Sequence, residues 1–424
     1  MRSLGPSLPL LVLLLASACA SLPAEVPGQP AVTMTPQPTP TVLPATPESV
    51  GAAPGACPIP AGSPSLPDPN DVVATSFGLL AYLNAGGPLE ALLLELEAGA
   101  WLPPRPQAVA EQDFDGDGTL DLALAVLQPS AQTSTPPGRL YVFLCSHGQY
   151  GLAYATPTAA DFGGPLIHTA SDLTGDGQPE ILVEQTACGA HTCSVRLQIL
   201  RWDGSAISQA LDGTSEDLPT PTIELIGPKD SGAFDLAVTA TGIASVGAGP
   251  FRPRTRIWSW EPSRQLFVVS AENLHSTNYR VHVLFDADQA LRAGDYRTAL
   301  DLYYRVTTDE SLDEWMPGTN ERQNLSAFAL FHRILAYLKL NDLGDAQVVY
   351  GILQNSYPAG SPGRAYAELA TAFWDTYQAK ADLRASCASA RAYAELHASD
   401  VVDPLCFGYA NPVYGVADIC PPDL

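Results

Sequence analysis

Four carboxylates are crowded into nine residues of this chain, 113–121, which read DFDGDGTLD and place an acid at the first, third, fifth and ninth positions. Calcium takes six to eight oxygen ligands, and a loop with this spacing can wrap one ion if a backbone carbonyl at position seven joins the acids. Without a cation, such closely spaced negative charges would repel one another. The sequence therefore predicts one calcium ion in this segment, here called loop 1, held by Asp113, Asp115, Asp117, the Thr119 carbonyl and Asp121, with Gly118 at the turn.

Two later segments repeat the pattern with fewer acids. Loop 2, residues 172–180, reads DLTGDGQPE, and loop 3, residues 227–235, is degenerate. Loop 3 should bind no calcium, since Asp235 is its only acid at a ligand position, and Lys229 is expected to place its ammonium there as an internal cation. The alternative for the first two loops is a solvated Asp-Gly turn without metal. Loop 2 is expected to form a second, weaker calcium site from Asp172, Thr174, Asp176, the Gln178 carbonyl and Glu180.

Each loop leads into a short apolar strand, at 122–127, 181–183 and 236–238. An EF-hand is excluded because position 12 of loop 1 is Leu124, where an EF-hand needs a bidentate Glu and a following helix. A second landmark recurs downstream, as Arg139-Leu-Tyr-Val-Phe, Arg196-Leu-Gln-Ile-Leu and Arg256-Ile-Trp-Ser-Trp. Two landmarks in register indicate a true internal repeat.

These units resemble FG-GAP or VCBS-type repeats, the blade modules of integrin-like β-propellers, in which an acidic loop between the first strands of a blade holds calcium. The resemblance covers about 109–273. Closed propellers have at least four blades, whereas three copies are visible here. We expect either an unrecognised fourth blade or, as the preferred alternative, an open array of three small antiparallel sheets with helices at both ends.

A stripe of large side chains precedes the end of the third repeat. Alternation along a strand places every second residue on one face. The stripe is interpreted as strand-face packing, and the alternative is a recognition surface for an acidic glycan or protein. Its members are Arg252, Arg254, Arg256, Trp258 and Trp260.

Helical patterns flank the repeats. A helical hairpin is predicted over 68–100, broken at Gly86-Gly87-Pro88, with a leucine stripe that the neighbouring β segment must cover. Residues 276–400 turn helical, and Ala, aromatic and aliphatic residues recur at intervals of four and three from Ala299 and from Ala346. This region resembles tetratricopeptide repeats, with an insertion around 315–320. The resemblance implies a protein-interaction module, although the hairpins could simply cap the β repeats, and the tail 401–424 is predicted to be irregular coil.

The N-terminus predicts export. An apolar stretch follows Arg2 and ends in Ala16-Ser17-Ala18-Cys19, so residues 1–18 are interpreted as a signal peptide. Small residues before a cysteine resemble the bacterial lipobox, which implies that Cys19 is acylated; ordinary signal cleavage is the alternative. Residues 20–67 contain 13 prolines and almost no charge, so 19–67 is predicted to be an anchor followed by a disordered tether.

An oxidising compartment allows disulfides among the eight cysteines. Cys188 and Cys193 are candidates for a local bridge between two strands, and one bridge is expected among Cys387, Cys406 and Cys420. A zinc site is the rival interpretation for these sulfurs, but no CxxC pair or spaced histidines accompany them.

Composition narrows the function classes. With 21 basic and 45 acidic residues the formal charge is −24. This charge argues against nucleic acid as a binding partner and favours the binding of cations. The sequence holds no nucleophile elbow, phosphate-binding loop or metalloprotease helix. We therefore predict a multidomain α+β lipoprotein of the bacterial cell envelope that is not an enzyme, facing outside the cytoplasm, touching the membrane only through its lipid, and binding an unidentified protein or glycan. The alternative is an exported enzyme or enzyme accessory that acts on extracellular polysaccharide or protein.

Overall fold

The computed structural model describes residues 57, 64–65, 72–128, 136–157 and 161–421. The predicted signal peptide, Cys19 and nearly all of the predicted tether lie outside the described residues. The described chain is a mixed α+β protein with three four-stranded antiparallel sheets and ten α-helices. It divides into two units: a sheet unit, which carries all three sheets, and a helical unit made of residues 277–421 together with Val246–Phe251.

The predicted helical hairpin opens the sheet unit. Helix α1 (Val72–Asn84) and helix α2 (Leu89–Ala98) are separated by the predicted Gly-Gly-Pro break. Their leucine stripe is buried, as expected, against the first sheet. The shared core includes Leu79, Leu92 and Leu96 from the helices and Leu122 and Phe143 from the sheet.

The three sheets have the same simple order, because each is built from four consecutive strands. Sheet 1 contains β1 (Val109–Gln112), β2 (Asp121–Leu127), β3 (Gly138–Ser146) and β4 (Gln149–Ala155). Sheet 2 contains β5 (Leu166–Ser171), β6 (Glu180–Cys188), β7 (Cys193–Trp202) and β8 (Ile207–Gln209). Sheet 3 contains β9 (Pro221–Ile226), β10 (Asp235–Ala240), β11 (Arg254–Glu261) and β12 (Leu266–Leu274). The described strands do not close into a barrel or propeller, in agreement with the expected open array.

Alternation along the strands distributes the core. In β2, the even-numbered residues Leu122 and Leu124 face the helical hairpin, whereas Ala123 and Ala125 pack against residues of sheet 2 such as Ile181. Sheet 1 is therefore covered on both faces, which explains why β2 is an almost continuous apolar run.

The register corrects one detail of the repeat. Arg139 pairs with Val126 and Arg196 pairs with Gln185, but the structurally equivalent residue in sheet 3 is Arg254, which pairs with Ala240. The recurring sequence landmark instead matched Arg256, two residues further on, to Arg139 and Arg196. A shift of two residues keeps the same strand face, so the periodic pattern alone could not detect it.

The helical unit contains six longer helices that follow one another closely. They are α3 (Arg280–Arg292), α4 (Tyr296–Thr308), α5 (Glu321–Lys339), α6 (Leu343–Ser356), α7 (Arg364–Lys380) and α8 (Leu383–Leu396). The stretch 309–320 between α4 and α5 is not helical, and it includes residues 315–320, where the sequence predicts an insertion. Aspartates cap α4, α6 and α8, since the side chains of Asp295, Asp342 and Asp382 each accept a hydrogen bond from a first-turn N–H.

The tail is less irregular than predicted. It follows α9 (Ala398–Val401) and contains a short 3-10 turn and α10 (Val416–Ile419). Leu405, Phe407 and Ile419 are buried in the core of the helical unit. None of the helices in the described part of the chain is both long enough and apolar enough to cross a bilayer.

Three disulfides join described cysteines. Cys188–Cys193 closes the β6–β7 hairpin and Cys387–Cys420 holds the tail to α8, so both predicted bridges are confirmed. The third, Cys57–Cys145, was not predicted. It links a residue of the Pro-rich segment to buried strand β3.

Candidate metal centre

Loop 1 connects β1 to β2 and is shaped by its two glycines. Gly116 and Gly118 have φ of 76° and 88°, a left-handed conformation that glycine adopts without steric cost. The resulting turn lets both oxygens of Asp113 accept main-chain hydrogen bonds, from the N–H of Gly116 at 2.8 Å and that of Gly118 at 2.9 Å. The first carboxylate is thereby fixed in place.

Three of the predicted ligands come together in this loop. One carboxylate oxygen from each of Asp113, Asp115 and Asp117 lies within 4.8 Å of the other two. Partial burial raises the pKa of Asp115, and the charges of Asp117 and Asp113 raise it further. In the described part of the chain no basic side chain forms an ion pair with these acids or with Asp121. The local field therefore favours a bound cation.

Asp121, the fourth acid, is fully buried at the start of β2. Its Oδ2 accepts a hydrogen bond from the Phe114 N–H at 2.8 Å, and its Oδ1 accepts one from the Cys145 N–H at 2.7 Å. Burial raises the pKa of Asp121 to about 6, against the effect of these two hydrogen bonds. Asp121 thus ties the loop to β3 rather than joining the group formed by the other three acids.

The exit of loop 1 agrees with the exclusion of an EF-hand. Thr119, whose carbonyl is the predicted ligand at position seven of the loop, donates its N–H to Asp117 Oδ1 at 2.7 Å. Leu124 lies in β2 and is fully buried, so a strand and not a helix follows the loop. The grouped carboxylate oxygens of loop 1 are hard donors, which fits calcium.

Loop 2 has the same backbone but a different charge balance. Asp172 again accepts from two glycine N–H groups, those of Gly175 at 2.7 Å and Gly177 at 2.9 Å. Glu180 is buried, and its Oε2 accepts from the N–H groups of Leu173 and Thr174 at 2.8 and 3.2 Å. Burial raises the pKa of Glu180 to about 7.

A basic side chain meets the acids of loop 2. Arg201 of β7 is buried, with its Nη2 3.2 Å from Asp176 Oδ2 and its Nε 3.8 Å from Glu180 Oε1. Sequence reasoning missed this arginine because it lies 21 residues beyond the loop. The only local sign would have been an arginine at the end of a strand whose counterpart in sheet 1, Leu144, is apolar.

Loop 3 confirms the predicted internal cation. The Nζ of Lys229 lies 2.6 Å from Oδ1 of Asp235, the one acid that this loop keeps at a ligand position. The ammonium remains half-exposed, whereas the Asp235 side chain is largely buried.

The three loops lie against one another in order. The Gln178 side chain of loop 2 donates to the Asp115 carbonyl of loop 1 at 3.4 Å, and the Phe234 N–H of loop 3 donates to the Leu173 carbonyl of loop 2 at 2.9 Å. A substitution that moves the backbone of one loop should therefore disturb the hydrogen bond to the next loop.

The arginine and tryptophan stripe is used for packing, as the preferred interpretation predicted. Arg254 and Arg256 both pair with Asp217 and Glu272. Trp258 is fully buried, and its indole N–H donates to the Asp212 carbonyl at 2.8 Å.

No protein-family model, curated protein or solved structure matches this chain.

Proposed function

We propose that this protein is a non-catalytic, lipid-anchored protein of the bacterial cell envelope that serves as a binding or scaffold module, with one calcium-stabilised β array and a helical interaction domain. The observation that carries the proposal is the group formed by Asp113, Asp115 and Asp117, whose carboxylate oxygens lie together with no described basic partner. Calcium would neutralise this charge and convert its binding free energy into stability of the β1–β2 connection.

Each sheet, in this proposal, corresponds to one blade of an FG-GAP or VCBS-type repeat. The supporting observation is the constant position of the acidic loop, which joins the first and second strands of every sheet. The loops also keep their paired glycines in the left-handed conformation in sheets 1 and 2. The metal then has a structural role, since it staples two strands together instead of presenting an open coordination position to a substrate.

The helical unit is proposed to be a tetratricopeptide-like interaction module. Its six longer helices form three successive pairs, and the second helix of each pair begins at an aspartate cap. Such arrays of helical hairpins commonly offer extended surfaces to peptides or proteins. Anchoring through Cys19 rests on the sequence alone, from the apolar leader and the small residues before the cysteine.

Calorimetry of the purified chain tests the calcium role. In about 2 mM calcium the unfolding temperature should exceed that in chelator by several degrees, because bound ligand stabilises the folded state. Asp115→Asn should remove most of this difference. Asp230→Asn is a matched control, since it changes one exposed acid of loop 3 that is not at a ligand position. An unfolding temperature that chelator leaves unchanged contradicts the stapling role.

Pull-down from the native envelope tests the binding role. Recovery of one stable protein partner supports the scaffold, and loss of that partner when the helical surface is mutated would place its site there. Turnover or selective capture of an envelope polysaccharide would instead favour an exported enzyme or enzyme accessory.

A further inference from the structure

The ninth position of each loop faces a different residue on the neighbouring strand. Leu122 pairs with Phe143, Ile181 with Leu200, and Asp235 directly with Ser259. Extending the first two ladders by one residue sets Asp121 opposite Leu144 and Glu180 opposite Arg201. Three equivalent acids therefore face a leucine, an arginine and a serine.

Arg201 occupies the side of loop 2 that a calcium ion would need. Its guanidinium contacts Asp176 and Glu180, the predicted fifth- and ninth-position ligands, at 3.2 and 3.8 Å. The arginine side chain is only 8% exposed, so this charge is not shared with bulk water. Two of the three carboxylates of loop 2 are thus already paired.

Arg201 is also held from sheet 3. Its Nη1 donates to Gln265 Oε1 at 2.5 Å, and its guanidinium lies over the Trp260 ring at 5.1 Å from the centroid. A side chain fixed by a hydrogen bond, a cation–π contact and two acids cannot swing into solvent without breaking all of them. An arriving divalent ion would have to displace it or bind beside a positive charge, and like charges this close repel strongly.

Loop 1 lacks this feature. Leu144 packs in the apolar core between sheets 1 and 2, and among the described residues no cation pairs with Asp113, Asp115, Asp117 or Asp121. At the strand position opposite the ninth loop residue, sheet 1 therefore has a leucine where sheet 2 has an arginine.

From this geometry we infer that Arg201 is the resident cation of loop 2 and excludes calcium from it, so that the chain binds a single calcium ion, in loop 1. The inference deepens the proposed function and rests on it for the loop 1 ion. Arg201 then determines which of the two acidic loops takes metal, and loop 2 is stable without any.

Equilibrium dialysis with radioactive calcium, at up to about 5 mM free ion, measures the stoichiometry on the full chain. We expect one ion per wild-type chain, none for Asp115→Asn combined with Asp117→Asn, and one for Asp172→Asn. Two ions per wild-type chain, or binding that Asp172→Asn abolishes, would overturn the inference. A wild-type chain that binds no calcium would instead defeat the proposed function, and loop 2 would then be judged by the next variant alone.

Arg201→Leu places the sheet 1 residue in sheet 2. It should add one calcium ion per chain, whatever the wild-type count, and the unfolding temperature of the variant should rise with calcium by more than that of wild type. No added ion in the folded variant overturns the inference. If Arg201→Leu fails to fold in chelator, refolding in about 5 mM calcium tests the same point, since recovery supports the inference and failure contradicts it.

Discussion

Gly175 of loop 2 lies against the main chain of Ser231 in loop 3, so closely that a Cβ added at Gly175 would be 2.5 Å from the Ser231 carbonyl oxygen. A Cβ added at Gly232 of loop 3 would in turn lie 3.1 Å from the Gly175 Cα. The glycines of loop 2 are thus required for two different reasons. Gly177 is needed for the left-handed turn alone, whereas Gly175 is needed both for the turn and for the close contact with loop 3.

Substitution of these two glycines should separate the two reasons. Gly177 has φ of 90° with nothing near its added Cβ, so Gly177→Ala should cost only the backbone strain, about 1–2 kcal/mol. Gly175→Ala has φ of 80° and also the overlap, so we expect a further loss of about 1–3 kcal/mol. Urea denaturation of both variants measures the difference, and equal costs would show that the loops separate easily.

The unpredicted disulfide should contribute more stability than the local one. Cys57 and Cys145 are 88 residues apart, whereas Cys188 and Cys193 are 5 apart, and the entropy lost by the unfolded chain grows with the enclosed loop. Replacing the long-range pair with alanines should lower the free energy of unfolding by about 4 kcal/mol, against about 2 kcal/mol for the short-range pair. Peptide mapping under non-reducing conditions checks the pairing itself, and a larger loss for the short-range pair would contradict the prediction.

Asp288 is the centre of a buried polar network in the helical unit. The hydroxyl groups of Tyr303 and Tyr414 both donate to its carboxylate, and His332 Nδ1 lies 3.0 Å from its Oδ1. His332 Nε2 in turn donates to the Ile419 carbonyl of the tail at 2.9 Å. Burial, followed by the charge of Asp288, raises the pKa values of both tyrosines.

Removal of Asp288 leaves the buried hydroxyl groups of Tyr303 and Tyr414 without their carboxylate acceptor and takes one polar contact from the buried His332 ring. Asp288→Ala should therefore cost roughly 3–5 kcal/mol, whereas Asp301→Ala, on the exposed face of α4, should stay within about 0.5 kcal/mol of wild type. Thermal and urea unfolding measure both variants. A loss below about 1 kcal/mol for Asp288→Ala would mean that the network adds little to stability.

Glu321 should make the helical unit less stable as the pH rises. This carboxyl is only 4% exposed, and burial raises its pKa above the ordinary value of 4.5. A folded-state pKa above the unfolded one means that the fold favours the protonated form. Its stabilising contribution is therefore complete below pH 4.5 and is lost as the pH rises through the folded-state pKa.

Glu321→Gln keeps an acceptor for the Met316 N–H, 2.9 Å away in wild type, and removes the charge. We expect it to raise the free energy of unfolding at pH 7 by on the order of 1 kcal/mol and to flatten the dependence on pH. Glu395→Gln, at an exposed position of α8, is the control and should change neither the free energy of unfolding at pH 7 nor its dependence on pH. Identical pH profiles for wild type and Glu321→Gln would refute the assignment.

Local spacing was enough to predict much of this protein. The Asp-Gly spacing of loops 1 and 2 identified where two turns form, and the short apolar runs that follow the three loops placed β2, β6 and β10. Similarly, Lys229 could be assigned to Asp235 because both lie within one nine-residue loop. In each case the interacting residues are close in sequence, so the pattern records the contact.

The remaining features depend on residues that are far apart in the chain. Arg201 meets Gln265 across 64 residues, and Cys57 meets Cys145 across 88. The Arg254 register differs from the aligned Arg256 by a step that leaves the strand face unchanged. No local period encodes such choices, because they are decided by how whole sheets pack and pair.

The short segment Val246–Phe251 interrupts sheet 3 between β10 and β11 yet belongs to the helical unit, where Gly249 lies against the Phe407 carbonyl and Asn411 donates to the Ala248 carbonyl at 3.0 Å. Cleavage of the chain at a single peptide bond consequently cannot separate two intact folding units. A fragment that starts at residue 277 would lack the segment Val246–Phe251, and the Asn411 side chain would lose its hydrogen bond to the Ala248 carbonyl. A continuous fragment that keeps the helical unit whole must therefore span residues 246–421. Such a fragment also carries β11 and β12, because these strands lie between the two parts of the helical unit in the sequence.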